Sequence, residues 1–99
     1  MLLAIAVARS LEMRVVVQDL SNTMLAMIAH AAFGSHFGGS WGIEANGIQF
    51  FPGASTAESR VHPGVFSRSG GCIDVSSIYG PGIGYRIEEI DRSLPKRAA

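Results

Sequence analysis

From Gly34 to Gly42 the chain reads GSHFGGSWG, and glycine at this density leaves the backbone too free for a regular element. The stretch splits the sequence into two unlike halves. Before it lie segments rich in helix formers. After it come short apolar pieces separated by turn residues, which read as a strand-rich half.

In the first half, Leu2 to Leu11 (LLAIAVARSL) is dominated by Leu and Ala and reads as a short buried helix. Met13 to Val17 (MRVVV) turns β-branched and reads as a buried strand closed by Gln18 and Asp19. Ser21 and Asn22 are good N-cap residues for a helix over Thr23 to Phe33, and Gly34 stands where a left-handed C-cap would end it. Apolar residues surround that helix except at Thr23 and His30, so neighbours should cover more than one side.

In the second half, Asn46-Gly47 lies between short apolar segments within Trp41 to Phe51, the pattern of a type I′ hairpin. Pro52 to Ser59 reads as a polar loop, and His62-Pro63-Gly64 as a turn before Val65 and Phe66. Gly70-Gly71 introduces a strand over Cys72 to Tyr79, ended by Gly80-Pro81-Gly82. Tyr85 to Ile90 fits either a last strand or a helical turn.

At 99 residues the chain suits one domain with a modest core. The fold expected is α/β, a small partial Rossmann-like sheet with helices. The alternative is α+β with an antiparallel hairpin at 41–51. Crossovers of a dozen or more residues, which a parallel sheet needs, fit this length only two or three times, so that sheet would be small with open edges.

Four segments, taken in order, resemble the short-chain dehydrogenase/reductase family. AIAVARSLEMRVVVQDLS (Ala4 to Ser21) resembles the family's first helix and second strand. EANGIQF (Glu44 to Phe50) resembles the segment after its fourth strand, matching at Gly47 and Ile48. VHPGVF (Val61 to Phe66) matches a helical motif at Gly64, Val65 and Phe66. GGCIDVSSIYG (Gly70 to Gly80) resembles its fifth strand. The resemblance implies NAD or NADP as cofactor, with Asp19 on the adenosine ribose, Gly47 in the cofactor site and Ser77 as the substrate-orienting catalytic hydroxyl.

The departures are specific. No glycine-rich phosphate turn precedes Leu2. The family's Tyr and Lys positions hold Ile90 and Leu94, and its catalytic Asn position holds Val61. Tyr85 has Glu89 four residues on, a carboxylate that raises the phenol pKa where the family's Lys lowers it. A hydroxyl without these partners performs no acid–base chemistry on a carbonyl, so the resemblance implies a degenerate, non-catalytic relative. Ser77 is read as the end of a strand.

Other chemistry is sparse. Eight basic residues balance eight acidic ones, so neither nucleic acid nor an anionic membrane is expected as a partner. His30, His36, His62 and Cys72 lack the close spacing of a zinc site, and His30 reads as a satisfied histidine on a packed helix. Cys72, the single cysteine, is expected to be buried and unreactive. A lone thiol favours a reducing compartment, here the cytoplasm. Gly38 to Trp41 offers a weak backbone nest for phosphate, and Arg86, Arg92, Lys96 and Arg97 read as solvated surface. Only 16% of residues are charged, so a homo-oligomer or protein partner is expected to cover apolar surface. The second functional reading is therefore a non-enzymatic interaction or self-association module built on the 41–51 hairpin.

Overall fold

The computed structural model describes residues 2–18, 21–37 and 42–93. It is mainly helical. Helix α1 spans Leu2–Ser10, α2 Met24–Phe37, α3 Gly47–Phe50 and α4 Thr56–Val61, with 3₁₀ turns at Pro63–Phe66 and Ile87–Glu89. Among the described residues there is no strand, only a parallel bridge between Val17 and Ile43 and an antiparallel one between Ser69 and Cys72.

Both expected architectures are thereby corrected. The Rossmann-like sheet fails because Met13 to Val17 and Cys72 to Tyr79 make one isolated bridge each, Val17 to Ile43 and Cys72 to Ser69, and no ladder with one another. The hairpin at 41–51 fails because Asn46-Gly47 opens a helical turn: Asn46 lies at φ −109°, ψ −5° as the N-cap of α3. A hairpin of type I′ needs positive φ at both central residues. That geometry occurs at Gly70 and Gly71, with φ of 58° and 78°, where Ser69 and Cys72 exchange both backbone hydrogen bonds at 3.0 Å.

Helix α1 forms where its Leu and Ala content predicts, and it closes with a Schellman motif. The Met13 amide reaches Ala8 O at 2.8 Å and the Glu12 amide reaches Arg9 O at 3.0 Å. The residue that must turn left-handed is Glu12, at φ 55°, where glycine is usual. Contrary to the buried helix expected, α1 covers only Ile5.

Helix α2 runs straight through Gly34 to Phe37. Gly34 is no C-cap; it continues the Met27, Ala31 stripe by helical spacing, and a Cβ there would overlap Ile43 Cγ2. The missing side chain lets the 43–45 segment lie against the helix. The amide of Met24 is capped by neither Ser21 nor Asn22 but by Ser55 Oγ at 2.9 Å, thirty-one residues away. Met24 and Leu25 stay exposed, so neighbours cover this apolar helix along one side.

The core is the buried face of α2 against the second half. Met27, Ile28, Ala31, Ala45 and Val65 form its centre, with Ile43, Phe66, Ile73, Val75, Ile78 and Tyr85 packed around them. Burying such side chains drives folding by roughly 1.5–3 kcal/mol each.

Candidate functional site

His62 is the one polar residue among the described ones that is buried in this frame, at 0% exposure. It sits at a chain reversal. Its amide donates to Glu58 O at 2.8 Å to end α4, and its carbonyl receives the Val65 amide at 3.1 Å in the following 3₁₀ turn. Pro63 fixes that reversal at the first position of the 3₁₀ turn, where its missing N–H costs nothing. A Cβ on Gly64 would stand 2.7 Å from Asp74 Cβ, so glycine is what allows the 72–77 segment to pass beside the ring.

The imidazole is satisfied at both nitrogens. The Arg86 amide donates to Nε2 at 3.4 Å. Because Nε2 accepts, Nδ1 carries the proton and donates to Ser77 Oγ, 3.2 Å away. The Tyr85 ring lies nearly parallel to the imidazole, 19° apart in plane with centroids 6.2 Å apart. Burial, and then the Arg86 guanidinium, holds the His62 pKa below its ordinary 6.5, against weaker opposition from Glu89 and a hydrogen bond to the Ser77 backbone.

Arg86 ties the cluster together. Its Nη2 donates to Val61 O at 2.7 Å, its Nη1 holds both Glu89 carboxylate oxygens at 3.0 and 2.9 Å, and its guanidinium lies 4.9 Å over the Tyr79 ring. This side chain is therefore not the solvated surface that sequence suggests. Tyr85 has its phenol pKa raised, first by burial and then by Glu58, with Arg92 opposing. The sign matches the sequence expectation, while the carboxylate responsible lies on α4.

Ser77 stands in a turn and does not end a strand. The Ser76 amide bonds Asp74 Oδ1 at 2.8 Å and the Ile78 amide bonds Val75 O at 2.9 Å, an Asx turn leading into a β-turn. The pairing of Ser77 with His62 was invisible in the sequence, yet it is no nucleophile and base. A base must offer Ser77 a lone pair, and the nitrogen that faces it bears a proton. Among the described residues the ring nitrogens bond Ser77 and Arg86 and no carboxylate, and the ring is fully buried.

Gly47 is engaged elsewhere: a Cβ on it would overlap the Asn22 carbonyl, so its role here is the close passage of α3 beside residues 21 and 22. Asp19, Gly38 to Trp41, Leu94 and the Lys96 and Arg97 tail lie outside the described residues. Cys72 is exposed, correcting the buried thiol, because the tight turn at Gly70-Gly71 points away from the core. His30 is half-buried and donates from Nε2 to Glu44 O at 2.8 Å. Among the described residues no group of three His, Cys, Asp or Glu side chains could hold a metal ion.

Beside the cluster runs an open apolar groove of about 960 Å³. Ile5 and Val15 to Val17 line one side, α2 from Ala26 to Phe37 forms the floor, and Ile78 to Gly84 form the opposite wall. No helix among the described residues is long and apolar enough to cross a membrane. No protein-family model, no curated protein and no solved structure matches the chain.

Proposed function

We propose that the chain is a non-enzymatic self-association module whose docking surface is the outer face of α1 with the segment that follows it. One observation carries this reading. Helix α1 turns Ile5 inward at 7% exposure, while Leu3 and Val7 on its opposite side and Leu11 just past its end stand 78%, 48% and 64% exposed. Met13, just past the helix, is a further exposed apolar side chain. A helix that is apolar on both sides is at home when both sides are covered.

A second copy of the chain is the occupant this surface favours. Residues 2 to 8 carry no charged side chain, and the chain as a whole has a net charge of zero. Two copies therefore meet without like-charge repulsion, and nothing on the face selects a charged partner. The surface replaces the 41–51 hairpin as the seat of association. We assign this module to the cytoplasm, where a lone exposed thiol remains reduced.

The test is size-exclusion chromatography with light scattering over protein concentrations from about micromolar to about millimolar, the span in which interactions of roughly −8 to −4 kcal/mol become visible. The mass should double along the series. The pair Leu3→Glu and Val7→Glu should remain a single chain with unchanged helical circular dichroism. A single-chain mass at the highest concentration overturns the proposal. Saturable NADH or NADPH binding by that single chain would favour the degenerate dehydrogenase-like reading in its place.

A further inference from the structure

One buried ring holds both ends of one loop. His62 bonds Ser77 through Nδ1 and Arg86 through Nε2, and between those residues runs SIYGPGIGYR, the length of an Ω-loop. The neck of the loop is tight. Gly84, at φ 76°, lies so close that a Cβ would stand 2.8 Å from the Tyr79 amide nitrogen and 2.9 Å from Ile78 Cγ2. The tip is open, with nothing within 4 Å of a Cβ on Gly80 or Gly82. Residues 78 to 80 and 82 to 84 form the wall of the apolar groove.

The geometry points to His62 as a proton-sensitive pin for this loop, one whose protonation releases the Arg86 amide, leaves the Ser77 end attached and loosens the groove wall.

The two ends differ in what a proton does to them. In the neutral ring Nδ1 donates and Nε2 accepts; in the imidazolium both nitrogens donate. The bond to Ser77 Oγ keeps its sense. At the other end Nε2–H would face the Arg86 N–H, donor against donor, beside a ring that is fully buried. The charged groups on the elements packed around the ring are Glu58 and Arg60 of α4, Asp74 before the Ser77 turn, and Arg86, Glu88 and Glu89 beyond the loop. Of these, Arg86 opposes a positive ring and Glu89 favours it, and Glu89 is already held by the Arg86 guanidinium. Tyr85, with its centroid 6.2 Å away, lies at the edge of cation–π range and cannot replace the lost acceptor.

The direction in pH follows. The folded ring stays neutral to lower pH than the same ring in an unfolded chain, which takes its proton near 6.5. The pinned state is therefore complete above about pH 6.5 and is lost as pH falls through the folded value.

Amide hydrogen exchange followed by NMR, expressed as protection factors at pH 7.5 and pH 5, tests the pin residue by residue. Protection of the Arg86 amide should fall between the two pH values as the ring takes its proton, while the amides of Ile78 and of Ile28 in α2 keep theirs. In His62→Gln, which puts a neutral amide in the place of the ring, the Arg86 response to pH should vanish. Unchanged Arg86 protection while the His62 ring resonances show it protonated overturns the inference. So does simultaneous loss at Arg86, Ile78 and Ile28, which would be global unfolding. Because the first comparison uses the wild-type chain alone, the inference stays open to refutation even if the variant does not fold.

Discussion

The N-terminal helix and the centre around His62 invert the usual relation between polarity and burial. Helix α1 is almost wholly apolar and keeps one side chain inside. His62 is polar and fully buried. What separates them is the supply of neighbours able to come close. Around His62, glycine at position 64 opens room for the next strand of chain, and Ser77 and Arg86 satisfy each ring nitrogen. Burial of a polar group is then inexpensive, since each hydrogen bond lost to water is replaced. Around α1 the connections among the described residues are few: Ile5 packs inward, and Arg9 donates to the Phe37 carbonyl at 3.4 Å. Apolar character supplies the drive to be covered, and the arrangement of the rest of the chain decides whether anything covers it.

The comparison breaks first at the α2 core. Ile28→Ala should cost about 3 kcal/mol in urea unfolding, because a fully buried side chain leaves a cavity. A loss below about 1 kcal/mol would mean that the core is as loosely held as α1. Gly47→Ala comes next, at about 2 kcal/mol, since the new methyl group would collide with the Asn22 carbonyl and force α3 outward. Thermal unfolding that does not move would show that α3 can shift freely. Glu12→Gly works in the opposite direction. It removes the left-handed strain at the end of α1 and should stabilise by about 1 kcal/mol, which at this chain length is about 4–8 °C in Tm. Smallest is Leu3→Ala. At a concentration where the chain is single, it should change stability by no more than about 0.5 kcal/mol, because that side chain is 78% exposed. A larger loss would place Leu3 in a contact within its own chain.

The helices were legible and the sheet was not, for reasons of range. Leu and Ala favour a helix through their own backbone preferences, so α1 and α2 could be read locally. The β-branched run at Val15 to Val17 marks a chain willing to extend, but a strand also needs a partner in register, and here only Val17 finds one. Asn46-Gly47 carries the residues of a type I′ turn, yet Gly47 serves the approach of Asn22, a contact twenty-five positions back that no window around 46 contains. The same turn chemistry was present at Gly70-Gly71, where the short flanks, Ser69 and Cys72, gave little hairpin signal.

The site was less legible still. The turn at His62-Pro63-Gly64 could be anticipated, but the burial of its histidine rests on Ser77 and Arg86, fifteen and twenty-four residues away. Ser77 drew attention through a resemblance, and its partner in the fold is a residue outside that reasoning. Arg86 looked like one of several surface cations. Its hydrogen bond to Val61 O and its place over Tyr79 appear only when residues 60 to 63 and 79 to 89 are brought together.

The reciprocal turn between Ser69 and Cys72 has a practical consequence. Cys72 is the chain's single cysteine, exposed on a reversal whose two backbone hydrogen bonds hold its position. The molecule thus carries one chemical address. A maleimide dye will attach there and nowhere else, without a thiol having to be engineered in or removed, and in a mixture of donor- and acceptor-labelled chains energy transfer would report how two copies sit together.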